Sequence, residues 1–178
     1  MPEHSAFRVL TQELAGALAT AGFDAFVKLG QGPVPDQVFV SLEPDAEDRL
    51  LHAQLMFLPD LTTPAVLQYF VGLPYEVAKR APATVARTLC RINVALPIAG
   101  FEYHEDAAML FFRHNHAVSV TPLSPDVVVW ALTLIEVAVT QFGPIIEAAA
   151  HGAPLPDVEA RFQDLIADVD MWPGAPVG

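Results

Sequence analysis

The longest apolar stretch of the chain, from Leu123 to Gly152, leaves polar side chains at only a few regularly spaced positions. At about 100° per residue, a helix gathers these positions into one narrow stripe, formed by Thr133, Glu136, Thr140 and Glu147. Most of the rest of the helix circumference is apolar. This apolar arc is wider than a helix needs to cover one face of a sheet. The pattern therefore predicts a long core helix with two apolar neighbours, a sheet on one side and a second helix or another subunit on the other.

Local signals place the start of this helix and a bend within it. The hydroxyl of Ser124 is expected to cap the first free amides, and Pro125 suits the first helical position. Asp126 complements the positive end of the helix dipole. Pro144 lacks an amide donor, so we expect a kink near Gly143.

Upstream, the pattern predicts a helix and then four short strands. The helix spans Ser5 to Gly22, with leucines recurring on one face, and is a candidate for the second neighbour of the long helix. The predicted strands are Phe23 to Leu29, Gln37 to Leu42, Leu50 to Leu58 and Leu67 to Leu73. Their short connections favour an antiparallel meander, and the third strand is apolar on both faces, which predicts a position near the middle of the sheet.

Between the fourth strand and the long helix, the pattern predicts a middle helix and a hairpin. The helix spans Ala81 to Leu96, and the hairpin joins Gly100 to His104 with Met109 to His114. The apolar side chains expected to form its cross-strand pairs are Phe101 and Tyr103 on one strand and Leu110 and Phe112 on the other.

The segment after Gly152 is acidic and keeps apolar side chains at helical spacing, namely Val158, Phe162, Leu165, Val169 and Trp172. We expect a short amphipathic helix docked through this face, followed by a loose tail, with detachment to bind a partner as the alternative. The predicted fold class is α+β, in the order α-β-β-β-β-α-β-β-α-α. One domain covers residues 1–152, and the acidic C-terminal segment covers residues 153–178.

Composition narrows the function classes. Twenty-one acidic residues against nine basic ones give the 178-residue chain a formal charge of −12, which repels phosphate and argues against direct nucleic-acid binding. The single cysteine, Cys90, excludes an internal disulfide and a multi-cysteine metal site. The N-terminus lacks the pattern of a secretory signal, so a cytoplasmic location is expected. Glu136 and the Gly-Pro break in the long apolar stretch argue against a membrane span.

The histidines around the predicted hairpin are the main candidates for chemistry. His104 lies in an acidic turn, and His114 and His116 would share one face of a strand, so the three could converge on a metal. No nucleophile elbow, P-loop, helical HExxH or dinucleotide-binding glycine pattern is present. Turns rich in His and Asp are also ordinary solvated sequence. We therefore expect no enzyme activity and no cofactor, and keep a metal-dependent enzyme as the alternative.

A basic segment interrupts the acidic chain. No acid occurs between Glu76 and Glu102, whereas three arginines stand on the side of the middle helix opposite its apolar face, at Arg80, Arg87 and Arg91. Internal ion pairs or a solvated face explain such a segment simply. It also fits an acidic partner protein or the chain's own acidic C-terminal segment, so these arginines are candidate partner-binding residues.

Two stretches resemble the YbjN-like family of bacterial proteins, RTLCRINVALPIAGFEYHEDAAMLFFRHNHAVS and LSPDVVVWALTLIEVAVTQFGPIIEAA. In that family a helix ending near Leu-Pro leads into a strand with an aromatic residue and acids, a second strand, and a closing helix introduced by Leu-Ser. The aromatic residue, proline and aliphatic pair of the closing helix correspond to Phe142, Pro144, Ile145 and Ile146. The match covers roughly Leu67 to Ala150.

The resemblance implies a fold like that of type III secretion chaperones, which are small, acidic dimers that bind partner proteins. In those chaperones the middle helix and the following strand supply much of the dimer contact, which carries over here to Leu89, Ile92, Leu96 and Phe101. Some family members are labelled sensory transduction regulators. We therefore expect a cytoplasmic, homodimeric protein-interaction module, chaperone-like or regulatory, that binds an unidentified partner protein. A small-ligand sensory domain is a further alternative.

Overall fold

A computed structural model shows an antiparallel six-stranded sheet that carries helices on one of its faces. The structure describes residues 3–31, 34–62, 65–98, 100–118 and 124–167. Along the chain, the elements are α1 (Glu3–Thr20), β1 (Ala25–Lys28), β2 (Gln37–Ser41), β3 (His52–Thr62), β4 (Ala65–Leu73), α2 (Pro82–Ala95), β5 (Phe101–His104), β6 (Met109–Val118), α3 (Pro125–Ala150) and α4 (Leu155–Ile166). The predicted α+β class and element order are confirmed.

The strands lie in the order β1-β2-β3-β4-β6-β5, with every neighbouring pair antiparallel. The first four form the predicted meander, and β3 lies inside the sheet as its apolar pattern indicated. The helix α2 then carries the chain past β6, so β5 becomes the edge strand and β6 pairs with β4. Within this hairpin Phe101 lies opposite Phe112 and Tyr103 opposite Leu110, which confirms the predicted cross-strand pairs.

The face of the sheet that carries the helices, called the inner face here, is covered chiefly by α3. The α3 side chains that are fully or almost fully buried in the common core include Val128, Leu132, Ile135, Val139 and Phe142, and the Phe142 ring lies 6.5 Å from that of Phe101 in β5. Although α3 is long and apolar enough to cross a membrane, most of its apolar stretch is buried in the protein core. It is therefore packed as the core helix of a globular fold.

The second apolar neighbour of α3 differs from the one expected. We predicted that the N-terminal helix would cover that side, but α1 lies mainly over β1, β2 and β3 and touches α3 only briefly. The stacked rings of Phe7 and Phe57, 5.2 Å apart, hold α1 over these strands. Instead, α2 and α4 pack along α3, because α2 returns across the β5 edge and α4 folds back after α3 ends.

The predictions for the start of α3 and for a bend within it are only partly confirmed. Pro125 is the first helical residue and Ser124 occupies the N-cap position with an extended backbone, but its side chain makes no capping hydrogen bond, so the predicted hydroxyl cap is wrong. The helix continues through Pro144 without a break in its assignment, and the predicted kink stays a prediction. A β-carbon at Gly143 would lie 2.6 Å from the hydroxyl of Tyr75, so a larger residue there would have to displace that side chain.

The C-terminal segment docks as an amphipathic helix, as predicted. Val158 and Phe162 of α4 are buried in the common core, and the Phe162 ring lies 6.2 Å from that of Phe142 in α3. Leu165 is half-buried against the same core. The other two predicted contact positions, residues 169 and 172, lie outside the described residues.

Arg49 joins the β2–β3 connection to the C-terminal half of α3. Its Nη atoms donate to both carboxylate oxygens of Glu147 at 2.7 and 2.8 Å, and its Nε donates to Asp45 at 2.6 Å. The guanidinium also lies over the Tyr75 ring, 4.9 Å from its centroid. The hydrogen bonds from Arg49 lower the pKa of the Glu147 carboxyl, which keeps the pair ionised at neutral pH.

We predict that Glu147→Gln lowers the free energy of unfolding by about 1–2 kcal/mol at pH 7, because it leaves Arg49 without its bidentate partner. Because the folded-state pKa of Glu147 is lowered, its contribution is complete above the unfolded-state pKa of about 4. It is then lost as the pH falls through the folded-state value. Urea titrations of both proteins between pH 3 and pH 7 measure the difference.

The matched control is Glu159→Gln, which removes a more exposed ion pair with Arg91 and is expected to cost less than about 0.5 kcal/mol. Equal losses for the two variants, or a Glu147→Gln effect that does not shrink in acid, would contradict the proposed role of Arg49.

Candidate interaction surfaces

The face of the sheet opposite the helices, called the outer face here, carries a band of large apolar side chains. They are Phe26, Phe39, Met56, Phe70 and Phe111, and they alternate with the side chains that enter the core. None belongs to the core cluster or to the side chains packed against it. Within the described residues, every helix lies on the inner face, so this band has no covering layer.

The band contains two stacked aromatic pairs on either side of a polar centre. Phe26 of β1 stacks on Phe39 of β2 at 5.5 Å, and Phe70 of β4 stacks on Phe111 of β6 at 5.1 Å. Gln54 of β3 lies between the pairs, opposite Phe39 on one side and Phe70 on the other. The band therefore crosses five of the six strands. Phe26 is 51% exposed at one end, Phe39, Met56 and Phe70 are half-buried, and Phe111 is only 6% exposed at the other end.

The outer face also differs from the rest of the chain in net charge. Among its strand positions with described side chains, the formally charged residues are Lys28, Arg113 and Glu102. Arg113 donates to both carboxylate oxygens of Glu102, at 2.9 and 2.7 Å, so that pair is neutral. A face with about one net positive charge thus belongs to a chain with a formal charge of −12.

A second apolar surface lies on the opposite side of the molecule, in a groove between α2 and α4. Its volume is about 450 Å³, and its apolar walls include Val94, Ala95, Phe162 and Ile166. Val94 is 88% exposed, which is unusual for a large aliphatic side chain. Cys90 and Arg91 also line the groove, so the single cysteine lies on the helical side of the fold.

The dimer contact inferred from the resemblance is largely inside the protein. Leu89, Ile92 and Phe101 are 4%, 0% and 2% exposed, because α2 packs these side chains against α3 and the sheet. Only Leu96 is partly accessible. Helical periodicity identified these positions as apolar, but it could not tell burial within one chain from burial between two.

The three candidate arginines have different surroundings. Arg91 forms an ion pair with Glu159 of α4 at 3.0 Å, so one of the expected contacts with the acidic C-terminal segment is present. Arg80 lies against Gly152, where a β-carbon would be 2.8 Å from its Nε, and this contact helps to position the end of α3. Arg87 is exposed and has no ion pair with any residue that the structure describes.

The predicted histidine cluster is wrong in one member. His114 and His116 share the inner face, with ring centroids 5.7 Å apart. His104 follows Tyr103 at the far end of the hairpin, so alternation places it on the outer face. It lies opposite Met109, five residues before His114, which corresponds to about 17 Å along a strand. Among the described residues, no three His, Cys, Asp or Glu side chains are arranged to hold a metal ion.

Tyr69 and His116 carry buried polar atoms that have no hydrogen-bond partner among the residues that the structure describes. These atoms are the Tyr69 hydroxyl and His116 Nε2, and the two rings are 5.5 Å apart. Burial raises the pKa of Tyr69 far above its ordinary value, whereas burial and the neighbouring His114 lower the pKa of His116. Both side chains are therefore neutral at pH 7, and neither is activated as a nucleophile or as a strong base.

Comparisons with protein-family models, with curated proteins and with solved structures give no match. The resemblance to the YbjN-like family therefore stays a prediction, and the case for a function rests on the geometry of these surfaces.

We predict that Tyr69→Phe leaves the free energy of unfolding unchanged or raises it by up to about 1 kcal/mol, because the variant removes a buried hydroxyl without a partner. Urea unfolding at pH 7 measures the change. Asn93→Ala is the contrasting variant, since it deletes two hydrogen bonds of 2.9 Å to the backbone of Phe101 and should cost about 1–3 kcal/mol. A loss above about 1 kcal/mol for Tyr69→Phe would show that the hydroxyl binds water or a ligand in solution.

Proposed function

We propose that this chain is a non-enzymatic protein-interaction module that acts as a homodimer and binds a partner protein in the cytoplasm. The supporting observation is the outer face, which no helix of the described residues covers and which carries five large apolar side chains across five strands, four of them at least partly exposed. Contiguous apolar surface of this kind on a soluble fold is characteristic of sites that bind other proteins. The role is chaperone-like or regulatory, as the resemblance implies.

A second surface gives the module a place for a different partner. The groove between α2 and α4 is apolar and lies on the far side of the sheet from the outer face, so both could be occupied at once. Exposed Arg87 lies one helical turn from Cys90 at the edge of this groove. An amphipathic segment with an acidic flank would suit this combination of apolar wall and positive charge.

The alternative functions have weaker support. A metal-dependent enzyme would need His104 beside His114 and His116, and the sheet places His104 on the other face. A sensory domain with an apolar ligand between sheet and long helix would need space there, whereas the α3 side chains facing the sheet are buried in one continuous core cluster.

We predict a mass of about 38 kDa by light scattering, which is twice the 19.2 kDa of one chain. The dimer should become tighter as salt rises from about 0.05 to 0.5 M, because salt screens the repulsion between two chains of charge −12 while apolar contacts persist. Dilution series at each salt concentration measure the dissociation constant. A monomer at every protein concentration would exclude the homodimer, and weakening by salt would point to an interface made of ion pairs.

A further inference from the structure

We infer that two copies of this chain associate through their outer faces, so that the two sheets pack against each other and the helical layers lie outside. This inference rests on the proposed homodimer and adds the surface that forms it. Such a contact would place Phe26, Phe39, Met56, Phe70 and Phe111 of each copy in a shared apolar layer. The contact is isologous, with the same surface used by both copies.

Charge opposes a second copy less at this surface than over the rest of the chain. Two chains of charge −12 repel each other over most of their surfaces. The strand positions of the outer face carry Lys28 and the paired Arg113 and Glu102, so this region brings no excess of negative charge into the contact. Charge at the interface is thus low where the apolar band is exposed, as expected for a surface that meets its own copy.

The size of the face is adequate for a specific dimer. Six strands about 4.8 Å apart give a width of about 24 Å, and strands of 4 to 11 residues, taken as about six on average, give a length of about 20 Å. The footprint is then about 500 Å² for each copy, or about 1,000 Å² in total, which reaches the area expected of a biological interface. Side chains that project from the sheet increase the accessible area beyond this footprint.

The arrangement of the side chains suits a two-fold axis that lies in the plane between the two faces and runs parallel to the strands. The two aromatic pairs lie on either side of Gln54, toward β1 and β2 in one direction and toward β4 and β6 in the other. Rotation by 180° about an axis near β3 and β4 lays the Phe26–Phe39 pair of one copy over the Phe70–Phe111 pair of the other.

Three single substitutions test the inference in the full chain. Phe26→Glu adds a charge at an exposed position of the edge strand β1, where the fold should tolerate it. Gln54→Lys changes a residue that is already polar at the centre of the face, so it is the less disruptive second variant. Val94→Glu is the matched control, because it adds the same acid to a still more exposed apolar position on the helical side.

We expect Phe26→Glu and Gln54→Lys each to raise the dimer dissociation constant by at least about 30-fold, because each variant buries an unpaired charge in both halves of the interface. Val94→Glu should change it less than about 3-fold. Sedimentation equilibrium gives the constants, and circular dichroism confirms that each variant is folded.

The outcomes separate this inference from the proposed function. If the wild-type chain is a dimer that Val94→Glu dissociates and the two outer-face variants do not, the chain is still a homodimer and the outer-face contact is wrong. If the wild-type chain is a monomer throughout, both the inference and the proposed homodimer are wrong. A dimer that survives all three variants also overturns the outer-face contact, since each added charge at that face would be buried in the interface twice.

Discussion

The apolar circumference of α3 is the constraint on which the arrangement of the other elements depends. One side of this helix fills the inner face of the sheet, and α2 and α4 pack along its flank. Because α2 and α4 bury their apolar surfaces next to α3, they lie on the same face of the sheet as α3, and α1 covers β1, β2 and β3 on that face. The outer face is left uncovered as a consequence, although its strands carry large apolar side chains there as well. The proposed interaction surface is thus a direct result of how the core is built.

Much of the fold could be predicted because each signal was local. Alternation identified the strands, including the pairing of Phe101 with Phe112, and period 3.6 identified the helices. The position of α1 could not be predicted, since its amphipathic face fits either the sheet or α3, and the choice depends on contacts such as Phe7 with Phe57. The Arg49 clamp was also missed, because it joins residues 98 positions apart and only the fold brings them together.

The candidate site was harder to predict than the fold for the same reason. An apolar side chain on a strand gives the same sequence signal whether it is buried in the core or lies on a surface that binds another protein. The apolar pattern and the family resemblance both selected Leu89 and Ile92 as dimer contacts, but these side chains are buried in the core of a single chain. Phe26, Phe39 and Phe70 were treated as ordinary strand residues, although both faces of the third strand were recognised as apolar. The useful signal was there: several neighbouring strands are apolar on both faces, while the described helices can cover only one.

The most direct measurement of the outer-face contact uses the single cysteine of the chain. Cys90 is exposed on α2, in the helical layer, so a nitroxide attached to it reports the distance between the two helical layers of a dimer. Two sheets about 10 Å apart, each carrying helices about 10 Å wide, place the two labels at least about 30 Å apart. A dimer formed through α2 would bring them within about 20 Å. Pulsed electron paramagnetic resonance should therefore show a distance between the two nitroxides of about 30 Å or more in the labelled dimer. A peak below about 20 Å in the distance distribution would contradict the outer-face contact.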